Sequence, residues 1–212
     1  MVILNLNQKK GGKMATILDS IMGQLGGDML GSISKQTGVS SNAIQSAIPA
    51  VITLLTGALA NNASKKQGAQ SLTGALKNDH DGSIMNDLPG YINNYQDGPG
   101  NGILKHVLGG QQNTVKKGLS KSTGIDKKAI GNLLIMLAPV IMGVVGNVMQ
   151  KKKLSSTGVS KYLGKEQKKI QKEAPKSSSF LSGLLDSNQD GQIIDDVGKI
   201  GISLLGEFLK KK

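Results

Sequence analysis

Cysteine, tryptophan and arginine are all missing from this chain of 212 residues. Without cysteine there is no disulfide framework, no thiolate nucleophile and no zinc-thiolate site, a composition that fits a reducing compartment. Without arginine, all 26 basic residues are lysine. The side chain most used for bidentate reading of guanine is therefore absent, which leaves point-charge contacts to phosphate. Aromatic residues are scarce: Phe180, Phe208, Tyr91, Tyr95 and Tyr162. The core must then be built from Leu, Ile, Val, Met and Ala, a palette that suits helix packing better than sheet sandwiches. The two histidines, His80 and His106, have no Cys, His or Glu at ligand spacing. They are expected on a surface loop and an amphipathic helix, without a part in metal binding or catalysis.

The formal charge of +12 points to nucleic acid until it is located along the chain. Residues 1–13 hold three Lys and no acid, residues 14–150 ten Lys against seven Asp, and residues 151–212 thirteen Lys against seven acids. Most of the excess therefore belongs to the ends. Residues 1–13 contain no apolar run of signal-peptide length. The run Lys9-Lys10-Gly11-Gly12-Lys13-Met14 can be encoded by a purine-rich AAAGGAGG followed by a start codon. Met14 is accordingly expected as the true start, the alternative being a basic, disordered tail.

What the chain does contain is a repeat. ISKQTGVSSNAIQSAIPAVITLLTG at Ile33 to Gly57 aligns without a gap to LSKSTGIDKKAIGNLLIMLAPVIMG at Leu119 to Gly143, at an offset of 86. Ser34/Ser120, Lys35/Lys121, Thr37/Thr123, Gly38/Gly124, Ala43/Ala129 and Ile44/Ile130 are identical pairs, which reads as an internal duplication. In each copy a glycine suited to the left-handed position ends one helix, and Ser40 or Asp126 caps the next. The second helices, Ser41 to about Asn61 and Lys128 to Met149, are apolar nearly all round, so they are central, and Pro49 and Pro139 are expected to kink them. The stretch Leu133 to Val148 is somewhat short for a bilayer core and is interrupted by polar residues, so two buried helices are favoured over a membrane span.

Around these lie a first helix from Met14 to Leu25 and a second from Met29 to about Gln36. Further helices are expected at Gly68–Leu76, Ile103–Leu108 and Gln112–Ser122. Asp97 to Gly102, DGPGNG, reads as a turn or mobile loop. Residues 151–179, with nine Lys and two Glu, read as a linker with at most a marginal helix near Val159 to Lys172. The end, 180–212, reads as two short amphipathic segments around an Asp-rich loop.

Three motifs bear on function. ISKQTGVSSNAI fits a helix-turn-helix pattern, but a recognition helix must present a polar face to base edges, and neither long apolar helix can spare one. The pair therefore reads as a packing unit. DSNQDGQIIDD places Asp186, Asn188 and Asp190 at positions one, three and five of an EF-hand-like calcium loop, Gly191 at six and the Gln192 carbonyl at seven. Position twelve is Val197, so Asp195 or Asp196 would have to close the loop, giving weak calcium binding. The alternative is an Asp-Gly turn that caps the following helix. The internal Lys77-x-Asp79-x-Asp81-Gly82 puts an ammonium at the first ligand position and is rejected as a site. Gly98, Gly100 and Gly102 follow no strand and lack a GK[ST] ending, so they form no phosphate loop.

GILKHVLGG, the following LSKSTGI, LLIMLAPVIMG, and DHDGSIMNDL after GAQSLTGAL together resemble the bacterial domain-of-unknown-function 937 (YidB-like) family over about residues 14–150. The resemblance implies an all-α, homeodomain-like or related fold and carries over no catalytic residue. Lys77 departs from the acidic residue expected there. The expectation is thus an all-α, cytoplasmic, non-enzymatic bacterial protein: a duplicated helical domain at 14–150, a linker at 151–179 and a small loop-helix module at 180–212. Its expected role is structural or protein-interacting, through self-association driven by excess apolar helix surface. The alternative is sequence-tolerant nucleic-acid binding by the Lys-rich linker and tail.

Overall fold

Two helices with almost no polar face have to lie at the centre, and they do. The computed structural model of the chain describes residues 15–173, with side chains described through Ile170, and every regular element among them is helical. In order these are α1 (Ile17–Met22), α2 (Gly27–Thr37), α3 (Ser41–Ser64), α4 (Lys66–Asn78), α5 (Leu88–Asn93), α6 (Gly100–Leu108), α7 (Gln112–Thr123), α8 (Lys127–Lys152) and α9 (Ser156–Glu173), with short 3₁₀ turns at Ser83–Asp87, Tyr95–Asp97 and Gly109–Gln111. Helices α3 and α8 pack on each other, and the remaining helices cover them. Both are long and apolar enough to cross a membrane, yet 72% and 89% of their most apolar windows are buried inside the chain's own body.

The turns of the two repeated units share their main hydrogen bonds. Gly38 and Gly124 end α2 and α7 in the left-handed region at φ 71° and 72°, a conformation that suits glycine. The Ser34 hydroxyl donates to the Val39 carbonyl and the Ser120 hydroxyl to the Ile125 carbonyl, each at 2.6 Å. Thr37 and Thr123 donate to the Ile33 and Leu119 carbonyls at 2.8 and 2.7 Å. Ser40 and Asp126 then cap α3 and α8 through the Ala43 and Ala129 amides, both at 3.4 Å, and Asp126 also takes the Lys128 amide at 2.7 Å. The same turn chemistry is therefore used twice at the spacing seen in the sequence.

The chain between the units wraps α8. Both prolines lie inside continuous helices. Because Pro139 has no N–H, the Ile135 carbonyl one turn earlier loses its helical donor. The Tyr91 hydroxyl reaches that carbonyl at a long 3.5 Å, and Gly100 lies so close that a Cβ there would collide with it. DGPGNG is therefore not a loop throughout: Gly100 is buried and opens α6. Toward the far end of α8, Gly146 meets the His80 carbonyl and Gly143 meets Ile84, so α8 uses glycine where the 80–84 segment crosses it.

The largest departure from the sequence reading is α9. In place of the at most marginal helix near Val159 to Lys172 expected within a linker, residues 156–173 form a full helix packed on α3 and α4, so the departure is in its length and packing. Val159, Leu163 and Ile170 supply its buried face. The expected calcium loop and loop-helix module at 180–212, and residues 1–14, lie outside the described residues.

The Gly146 contact makes a prediction. Gly146→Ala is expected to destabilise the fold by about 1–3 kcal/mol through overpacking. Gly74→Ala, in an α4 helix with open space at that position, is expected to be stabilising by about 0.4–1 kcal/mol. Urea denaturation of the two variants checks the contrast, and equal midpoints would contradict it.

Candidate functional site

In a helix-turn-helix reader the second helix of each unit faces outward. Here those helices are α3 and α8, and their faces form the core: Ile44, Ile48 and Ile52 of one and Leu133, Leu134 and Leu137 of the other are fully covered. These faces are spent on packing, and the polar residues that α3 and α8 leave toward solvent at their N-terminal ends are Asn42, Gln45 and Ser46 on one and Lys127 and Lys128 on the other.

Between the turn of the first unit and the start of α8 lies an open cleft of about 330 Å³, lined by Gln36, Thr37, Val39, Asp126, Lys128 and Asn132 among others. Its carboxylate is already engaged in capping α8, and the Gln36 amide donates to the Asn93 carbonyl at 3.1 Å. No reactive pair converges there, so the cleft is a seam between the two units.

The remaining sequence candidates separate. His106 is exposed on α6, while His80 is partly buried at the end of α4, and burial lowers its pKa while Asp79 partly opposes this. Asp81 accepts the Ser83 amide at 2.9 Å in a tight turn, and that bond holds its carboxyl below the usual range. Among the described residues no group of three or more His, Cys, Asp or Glu is placed to hold a metal. Asp186, Asn188, Asp190, Gln192, Asp195 and Asp196 lie outside the described residues.

What does stand out is the sorting of charge at the C-terminal end of the body. Lys151, Lys152 and Lys153 close α8 in exposed positions, and Lys153 at φ 51° reverses the chain into α9. The Lys152 ammonium lies 5.9 Å from the centre of the Tyr162 ring. Burial, with Glu166 nearby, pushes the Tyr162 hydroxyl well above its usual range. Along α9, Lys161, Lys165 and Lys168 are exposed, whereas Glu166 is 1% exposed. Its carboxylate accepts the Ile17 amide at the start of α1 at 2.8 Å and the Lys169 ammonium at 3.3 Å. The acid faces in and the ammonium groups face out.

Residues 19–148 match the family model of DUF937, bacterial proteins of unknown function. The chain belongs to that family. No curated protein and no solved structure matches it. The match runs from within α1 through most of α8, so the two helix-turn-helix units and the segment wrapping α8 are the DUF937 part, and α9 lies beyond it.

Sequence reasoning missed Glu166. The signal was there in the spacing of Val159, Leu163, Glu166 and Ile170, one helical face with a carboxylate in an apolar phase. Glu166→Ala leaves the Ile17 amide without its acceptor and is expected to cost about 1.5–3 kcal/mol, the range for a hydrogen bond to a charged group. Glu166→Gln keeps an acceptor and is expected to cost less. Hydrogen exchange should show the loss of protection concentrated in α1; unchanged α1 protection in Glu166→Ala would contradict the role.

Proposed function

We propose that this DUF937 member is a non-enzymatic helical module of structural type that acts by association, with a partner of opposite charge or with a second copy of itself. The observation that supports this is the segregation of charge. Residues 15–104 hold four Lys against six Asp, whereas residues 105–170 hold thirteen Lys against two acids. A surface that serves solubility alone intersperses the two signs. Clustered charge of one sign steers encounter and sets orientation, so the exposed lysines of α8 and α9 would be complemented by exposed carboxylates of a partner or of a second copy. The apolar helix surface that suggested self-association from sequence is used inside the body, so charge takes over that role. In this reading the two units are duplicates of one homeodomain-like unit, kept as a scaffold. The cysteine-free composition agrees with a cytoplasmic site of action.

Sedimentation velocity of the full chain tests the association. It is expected to show concentration-dependent growth at low salt that reverses as salt rises, because exposed charge pairs are screened within about 10 Å at 0.1 M. A strict monomer at every salt, together with no partner recovered by pull-down at native expression, would sink the reading.

The Asp-rich loop adds a second, separate element. Asp186, Asn188, Asp190, the Gln192 carbonyl and one of Asp195 or Asp196 are proposed to bind calcium, on the spacing of those donors and on the repulsion that a divalent ion would relieve. Lacking a bidentate twelfth ligand, the loop is expected to bind with a dissociation constant of about 10⁻⁴–10⁻³ M. Calorimetry of the full chain with millimolar calcium should give heat that Asp190→Ala abolishes, and absence of heat leaves the helix-capping alternative.

A further inference from the structure

The end of α8 and the part of α9 through Ile170 carry a face of one sign. Lys161, Lys165 and Lys168 follow one another at i, i+4 and i+7 on α9 and are exposed. With a rise of 1.5 Å per residue their attachment points lie roughly 6 and 4.5 Å apart along the helix. Lys152, tied to the Tyr162 ring, brings the α8 terminus and its neighbours Lys151 and Lys153 to the beginning of the same helix. From residue 150 to 170 the sole acid is Glu166, and it is buried and engaged with the Ile17 amide and Lys169. Among the described side chains of α9, no exposed carboxylate interrupts the face.

Like charges at i and i+4 destabilise a helix by themselves. The arrangement persists because the opposite face of α9 is packed, which leaves the Lys161, Lys165 and Lys168 ammonium groups turned to solvent. Resting on the association reading above, we propose that this face binds the phosphate backbone of nucleic acid without sequence preference. Lysine supplies point-charge contacts and counterion release, and with no arginine in the chain the commonest guanine-reading contact is missing. A lipid surface fits less well. The apolar residues of α9, Val159, Leu163 and Ile170, are all turned inward, so nothing is left to insert between lipids. A protein partner held by apolar anchors fits this face less well too, since the exposed aromatic or aliphatic residues that centre such interfaces are missing from it.

The test is fluorescence anisotropy of the full chain with two short labelled duplexes of unrelated sequence, across about 50–200 mM salt. Both duplexes should bind alike, and affinity should fall steeply as salt rises. The triple variant Lys161→Gln, Lys165→Gln, Lys168→Gln should bind at least tenfold more weakly at low salt, with the log–log salt slope flattened by about 2–3. Lys35→Gln, Lys105→Gln, Lys121→Gln, exposed on α2, α6 and α7 away from the helices that pack α9, should bind like the parent. Circular dichroism checks that both variants keep their helix content. No duplex binding at low salt, equal losses in the two variants, or an undiminished affinity in the first would overturn the proposal. Binding to vesicles rich in phosphatidylserine as tight as to the duplex would overturn it as well. If duplex binding fails while salt-reversible association persists, this inference falls and the association reading stands; if both fail, both fall.

Discussion

Helix α8 cannot face water along most of its length, and that constraint organises the rest. Its interior runs Leu133, Leu134, Met136, Leu137, Val140 and Ile141 without a polar residue that would define an outer side. A helix of this kind is stable only when covered all round. One partner, α3, has the same problem and solves part of it, and α6, α7, α1, α4 and the 80–97 segment close the remaining sides. The helix-turn-helix units are consequences of this packing. Each delivers one long apolar helix to the centre through a turn whose glycine, serine and threonine bonds set the angle of entry.

Covering α8 on every side requires the backbone of its neighbours to come close, and small residues on α8 allow it. Gly146 and Gly143 admit the 80–84 segment at one end. Nearer the middle, Pro139 removes a donor and exposes the Ile135 carbonyl, and Tyr91 and Gly100 close over it. The Tyr91 hydroxyl is suited to that place, because burial, with Tyr95 nearby, raises its pKa and keeps it a donor. The proline in the core helix and the glycine in the connecting segment are thus two halves of one contact.

The legible part of the fold was the part in which the deciding residues are neighbours in sequence. The turn at Gly38 and its counterpart at Gly124 could be read because hydroxyl, glycine and cap lie within about two helical turns of each other. Gly100 could not be read, since the carbonyl it lies against belongs to Ile135, which has lost its helical donor on account of Pro139. A run of Asp, Gly, Pro and Asn looks like a loop wherever such a distant partner is out of view. Helix α9 was misread for a different reason: its lysine content resembles a solvated linker, and its buried face contains a glutamate where a leucine would have revealed the period. The charge sorting that marks the candidate face becomes visible only once the helical phase is known.

That glutamate explains how so basic a segment joins the body at all. Burying a carboxylate costs more than burying an apolar side chain of the same size unless its oxygens find donors, and the gain in stability from such a group is small at best. What the group does impose is register. Glu166 finds the Ile17 amide for one oxygen and Lys169 for the other, so α9 is held at the rotation that points Glu166 at α1. At that rotation Lys161, Lys165 and Lys168 necessarily face solvent, because they lie on the opposite side of the helix from Glu166 and its apolar neighbours. The N-terminal helix, through one backbone amide, therefore orients the charge presented by the C-terminal one.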